Sequence, residues 1–79
     1  MKYIMFEDFT GHPVPVIFPK RIAHDEMREQ ILYSKVLSAG YVQLSGGQVV
    51  CHGESRELSA KARPEDAEII TEKLSRADT

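Results

Sequence analysis

Cysteine and histidine are the residue types in this chain that bind metal ions or pair as nucleophile and base. Cys51 is followed directly by His52, and two further histidines, His12 and His24, lie elsewhere. Adjacent residues on a strand point to opposite faces, so Cys51 and His52 cannot ligate one ion together if they lie on a strand. No Cys-x-x-Cys or His-x-x-x-His spacing is present. We therefore expect no metal, no cofactor and a buried, unreactive Cys51.

A second group of titratable side chains, His24-Asp25-Glu26, could exchange protons with a substrate. The same residues are typical of a helix start, because the helix dipole favours acidic side chains in the first turn. Catalysis by carboxylates also needs a cleft that moves their pKa values apart, which a chain of this length rarely encloses. We expect a solvated helix N-terminus at this position.

The tripeptide Gly46-Gly47-Gln48 resembles the one with which peptide release factors hydrolyse peptidyl-tRNA. The resemblance implies a hydrolase centred on Gln48. Release factors flank the tripeptide with a basic domain, whereas the flanks here alternate as strands do. A tight turn explains both glycines without any chemistry. We expect no enzyme, and keep a minor hydrolase centred on Cys51 or Gln48 as an alternative.

Two β-hairpins are predicted to carry these residues. The segment 2–7 has apolar side chains on both sides, which predicts a central strand covered on both faces or covered on one by a partner. The segment 14–18 follows after a turn, and Pro15 places it at a sheet edge because proline has no N–H for a ladder.

The second hairpin is the strongest local signal. The segments 40–44 and 49–53 flank the Gly-Gly turn, so Leu44 should face Val49 and Val42 should face Cys51. These four side chains form one apolar face. A slip of one residue would destroy this sorting, so we predict this register and a dry layer beneath the helices.

Two helices are predicted from apolar stripes. The first runs over 22–34 on Ala23, Met27 and Ile31, with Gly40 as its outer limit. The second opens at Pro64 and buries the stripe Ala67, Ile70 and Leu74. The polar stretch 54–62 between the second hairpin and this helix is interpreted as a loop, with a short extended piece as the alternative.

The order ββαββα predicts the α+β class. We expect a single domain over 1–79, built as a two-layer sandwich. An antiparallel sheet from two β-hairpins would carry two helices on one face. The pattern leaves the strand order open.

Composition sets limits on partners and location. The chain has 79 residues, a formal net charge of −2, and ten basic against twelve acidic side chains. No apolar stretch is long enough to span a membrane, and the first residues lack a signal peptide. A single cysteine fits the cytoplasm. A core this small leaves a stability balance near zero, so stability must come from good packing or from a partner chain.

Apolar side chains outside the predicted core suggest a surface for that partner. We take Ile17, Tyr41, Val50 and His52 as the candidate interaction surface, and a homodimer as the leading hypothesis. The function expected is that of a non-catalytic protein-interaction module. A nucleic-acid-binding domain is the alternative, using Lys2, Lys20 and Arg21 beside Tyr3, although the balanced charge makes nucleic acid an unlikely partner.

The last third of the chain carries one further resemblance. The residues Gly53-Glu54-Ser55, Leu58 and the run 63–68 (Arg-Pro-Glu-Asp-Ala-Glu) resemble a pattern in small uncharacterised bacterial and prophage-encoded proteins. The resemblance implies a bacterial or phage setting and no catalytic activity.

Overall fold

The computed structural model describes residues 1–31 and 35–77, with side chains described up to Ser75. Its elements are β1 (Lys2–Glu7), β2 (Pro13–Phe18), α1 (His24–Glu29), β3 (Lys35–Ser45), β4 (Gln48–His52), β5 (Glu54–Ser55), β6 (Ala60–Lys61) and α2 (Asp66–Ala77). Within these residues, neither helix has the length and apolar character that a membrane crossing requires.

The two predicted hairpins join into one antiparallel sheet with the strand order β2-β1-β3-β4. This confirms the α+β class, the central position of β1 and the edge position of β2. The predicted register of the second hairpin is also confirmed, with Val42 opposite Cys51 and Leu44 opposite Val49. Gly46 and Gly47 both have positive φ, of 58° and 80°, which the two-residue hairpin turn requires.

The sheet is covered on both faces, because β1 is apolar on both sides. Tyr3 and Met5 pack with Ile70 of α2 on one face. Ile4 and Phe6 pack on the other face with Met27 of α1, joined by residues of the segment that contains β5 and β6. The prediction that both helices share one face is therefore wrong. A narrow apolar stripe indicates that one side of a helix is buried. It does not indicate against which face of the sheet the helix packs.

The first helix is shorter than predicted. It ends at Glu29, residues 32–34 of the predicted helix lie outside the described residues, and Lys35 already begins β3. Val36 pairs with Phe6 across the sheet, so long-range strand pairing overrides the local pattern. Gly40 is not a boundary but lies inside β3.

Glycine is required at position 40 because the backbone at His52 lies very close to it. A Cβ atom at this position would lie 2.7 Å from the carbonyl oxygen of His52 and 3.3 Å from the Cβ of Ala62. Glycine inside a strand is typical of such contacts.

Two side chains of the predicted core are exposed instead. Leu44 is 71% exposed because the β3–β4 hairpin extends beyond the start of β1, where Met1 faces Val42. Leu74 is 42% exposed. One residue earlier, the Lys73 ammonium donates to the carbonyl oxygen of Pro15, so α2 has already reached the edge strand β2. The part of α2 that contains Leu74 therefore lies beyond the edge of the sheet.

The segment predicted as a loop contains a small second sheet, in which β5 pairs with β6. It packs against β3, and Leu58 and Ala60 extend the core on the α1 side. The start of the second helix is close to the prediction. Asp66 donates its N–H to the Arg63 carbonyl, forming a turn around Pro64 that leads into α2.

Candidate interaction site

The outer edge of β4 is the candidate interaction site. β4 is the last strand of the sheet, and no strand within 1–31 and 35–77 pairs with its outer side. Val42 exchanges hydrogen bonds with Met1, donating its N–H to the Met1 carbonyl and accepting from the Met1 amine. The backbone of Val42 therefore points toward β1, and its opposite residue Cys51 is in a non-hydrogen-bonded pair.

The non-hydrogen-bonded state of the Val42–Cys51 pair determines which backbone groups of β4 point outward. In an antiparallel pair, hydrogen-bonded and non-hydrogen-bonded pairs alternate along the strands. The N–H and C=O groups of Cys51 therefore point away from β3, and so do those of Val49 two residues earlier. The groups of Val50 point inward toward Gln43, its opposite residue.

The two edges of the sheet differ in their protection against pairing. β2 contains Pro13 and Pro15, which remove backbone donors from that edge. β4 has the sequence Gln-Val-Val-Cys-His and contains no proline, lysine or acidic residue. Natural proteins block sheet edges with proline and charge, and β4 has neither.

The predicted interaction residues are only partly brought together. Tyr41 lies opposite His52, and Val50 lies two residues from His52 on the same face of the hairpin. Val50 is 36% exposed and His52 is exposed. Ile17 lies opposite Tyr3 and packs against the core beneath α2, on the other face of the sheet. It is therefore not part of the surface around Val50.

A chain of aromatic contacts connects this surface with the core. The rings of Tyr41 and His52 are stacked at 5.9 Å, and His24 meets Tyr41 edge-on at 5.9 Å and Phe18 at 5.4 Å. His24 is buried and its Nε2 lies 3.0 Å from the Gly40 carbonyl oxygen. As predicted, Asp25 and Glu26 at the start of α1 are exposed to solvent. His24 is not, because its ring is buried in the core.

Cys51 does not have the surroundings of a catalytic thiol. It is half-buried and packs against the α2 side of the core. Burial first, and then the negative charge of Asp66, raise the pKa of the Cys51 thiol above its ordinary value. A nucleophilic cysteine needs the opposite shift and an adjacent base. His52 points to the other face of the sheet, so its imidazole does not serve as that base.

Sequence reasoning missed the buried hydrogen-bond network beside Cys51. The Tyr3 hydroxyl donates to Asp66 Oδ2, and the backbone N–H of Arg63 donates to the same oxygen at 2.9 Å. The Arg63 guanidinium pairs with Asp66 Oδ1 at 3.0 Å. Tyr3 and Asp66 are 63 residues apart, so no spacing rule connects them.

The charge state of this network follows from its contacts. Burial would raise the pKa of Asp66, but the hydrogen bonds from Tyr3 and Arg63 outweigh burial and hold that pKa below its usual value. Burial, and then the bond to Asp66, raise the pKa of Tyr3. Asp66 is therefore a buried carboxylate with fixed partners. This arrangement connects the start of α2 to β1.

The turn between β1 and β2 contains a second group that the sequence reasoning missed. Asp8 Oδ1 accepts from the N–H and hydroxyl of Thr10 and from the N–H of His12. The Thr10 hydroxyl oxygen is also 2.7 Å from His12 Nδ1. These bonds, led by that of the Thr10 hydroxyl, lower the pKa of Asp8. Aspartate side chains in turns accept hydrogen bonds from the backbone two residues further on, so the bonds explain the cluster as turn structure.

The residues of the two alternative functions lie in different surroundings. Tyr3 is completely buried, so it cannot stack on a base, and the Lys2 ammonium donates to the Ile22 carbonyl at 2.9 Å. Lys20 and Arg21, the other two basic residues of this alternative, are exposed. Gln48 lies directly after the Gly-Gly turn at the start of β4, as the turn interpretation requires.

The described part of the chain contains no group of three or more His, Cys, Asp or Glu side chains that could hold a metal ion. No protein-family model matches the chain, and neither the curated proteins nor the solved structures include a significant match.

Proposed function

We propose that this chain is a non-catalytic protein-interaction module that self-associates through the outer edge of β4. The observation that carries the proposal is the unprotected edge itself. Val49 and Cys51 direct their backbone N–H and C=O groups outward, and no charge or proline on β4 opposes pairing. Pairing with an additional strand would satisfy these groups by the same hydrogen bonds that build the sheet.

The surface beside the edge supports the same function. Val50 and His52 lie next to the outer edge, with Tyr41 stacked on His52. A second strand at the edge would cover the exposed side chain of Val50. Buried apolar surface would then add to the backbone hydrogen bonds.

The expected setting is the bacterial or phage cytoplasm. Cys51 is the only cysteine, which fits a reducing compartment. The resemblance of residues 53–68 to small bacterial and prophage-encoded proteins supports the same setting.

The test is the dependence of oligomeric state on concentration. Sedimentation equilibrium and thermal unfolding over about a hundredfold range of concentration should show a mass above that of the monomer and a rising Tm, because association stabilises the folded chain by mass action. A monomer mass and a constant Tm throughout that range would disprove self-association.

A further inference from the structure

We propose that two copies pair through β4 in antiparallel orientation, with the twofold axis passing through Val50. The inference rests on the proposed function and assigns its partner and its register. Two such chains would form one continuous sheet of eight strands.

The register follows from the parity of the backbone. Only residues whose N–H and C=O groups point outward can form hydrogen-bonded pairs across a new interface, and within β4 these are Val49 and Cys51. With the axis at Val50, each Val49 pairs with Cys51 of the second copy. Both outward residues of both chains are then satisfied.

The two neighbouring symmetric registers form fewer bonds. An axis at Val49 pairs Cys51 with Gly47, which lies in the turn with φ of 80°. An axis at Cys51 pairs Val49 with Gly53, which has φ of 79° and whose carbonyl already accepts from the Ala62 N–H. Neither glycine is extended, so each of these registers keeps only its central pair.

The side chains are compatible with this pairing. At the axis, Val50 faces Val50 of the second copy, and on the same side His52 faces Gln48. On the other side, Cys51 faces Val49. No acidic or basic Lys/Arg side chain lies on β4, so the two identical edges meet without the like-charge repulsion that opposes self-pairing.

The test places opposite charges at the axis. Val50→Lys and Val50→Glu each set like charges against each other, so each variant alone should associate at least about tenfold more weakly than the wild type. An equimolar mixture of the two should regain association as a heterodimer. Gln43→Lys is the matched control, because Gln43 is exposed on the same face but one strand further inside. This control should associate as the wild type does.

A second measurement does not depend on charge. In the background Cys51→Ala, Val50→Cys should form an intermolecular disulfide on mild oxidation, since non-hydrogen-bonded partners lie about 4.5 Å apart between Cα atoms. Gln48→Cys in the same background faces His52 and should not. Circular dichroism of each variant verifies the fold.

The outcomes separate the two proposals. If the wild type associates but the Val50 variants associate equally well and no disulfide forms, the Val50 register is wrong and self-association stands. If the wild type remains monomeric at every concentration, both proposals fail.

Discussion

The carboxylate of Asp66 connects three parts of the chain at the level of single residues. It accepts hydrogen bonds from Tyr3 in β1 and from Arg63 before α2, and its charge adds to burial in raising the pKa of the Cys51 thiol. A buried carboxylate is stable only while these partners are in place. Its replacement should therefore affect both stability and thiol chemistry.

We predict that Asp66→Asn lowers the free energy of unfolding by about 2–3 kcal/mol at neutral pH, because a charge-assisted network is lost. The folded pKa of Asp66 is lowered, so its contribution is present above the unfolded pKa and is lost as pH falls through the folded value. Wild-type stability should fall below about pH 5, and the variant should show a smaller fall. Asp8 and Glu57 also have lowered pKa values, so they still produce part of the fall in stability at acidic pH in the variant.

Urea unfolding from pH 7 down to acidic pH measures this effect. Glu29→Gln, an exposed acid at the end of α1, is the control and should leave the profile unchanged. An Asp66→Asn profile parallel to that of the wild type would show that folding does not shift the pKa of Asp66.

We predict that Cys51 reacts slowly with a thiol reagent while the chain is folded. Burial and the charge of Asp66 raise its pKa, so less thiolate is present at neutral pH. The rate at which Cys51 reacts with an aromatic disulfide, followed by the coloured thiolate that is released, should rise by about tenfold or more in denaturant. Asp66→Asn should raise the rate in the folded protein. Equal rates in the folded and unfolded wild type would contradict the assigned surroundings.

At the scale of elements, α2 offers a direct comparison between buried and exposed apolar residues. Ile70 is completely buried against Tyr3 and Met5, whereas Leu74 lies one turn further on and is 42% exposed. Ile70→Ala should lower the free energy of unfolding by about 2–5 kcal/mol, and Leu74→Ala by less than about 1 kcal/mol. Chemical denaturation of both variants measures the difference. Equal losses would place Leu74 in the core.

The sequence predicted the hairpins better than the helices, for a physical reason. The Gly-Gly turn fixes the register locally, so Val42 and Cys51 could be paired from sequence. The end of α1 could not, because Val36 and Leu37 suit a helix as well as a strand, and only pairing with β1 decides between them. The apolar residues on both sides of β1 did indicate two covered faces.

The candidate site was only partly predictable. Tyr41, Val50 and His52 follow from the hairpin register, which the turn determines. Ile17 was grouped with residues of the opposite sheet face. Strand alternation shows which residues of one strand share a face, but it does not show which face each helix covers. The outward direction of the Val49 and Cys51 backbone groups needs the contact between Met1 and Val42, which no local pattern contains.

At the scale of the whole molecule, we predict that self-association depends little on salt. The paired strands carry no acidic, Lys or Arg side chain, so screening has little to act on. Sedimentation at low and high sodium chloride should give dissociation constants within about twofold. An increase of about tenfold or more with salt would indicate an interface of ion pairs elsewhere on the surface.

If two copies pair through β4 as proposed, the prolines of β2 make the opposite edge of the sheet unable to pair in the same way. Once two molecules have joined, the ends of the combined sheet are both formed by Pro13 and Pro15, which offer a third molecule no continuous row of donors. The proposed assembly would therefore stop at two molecules, and the unprotected edge would give a closed pair rather than a filament.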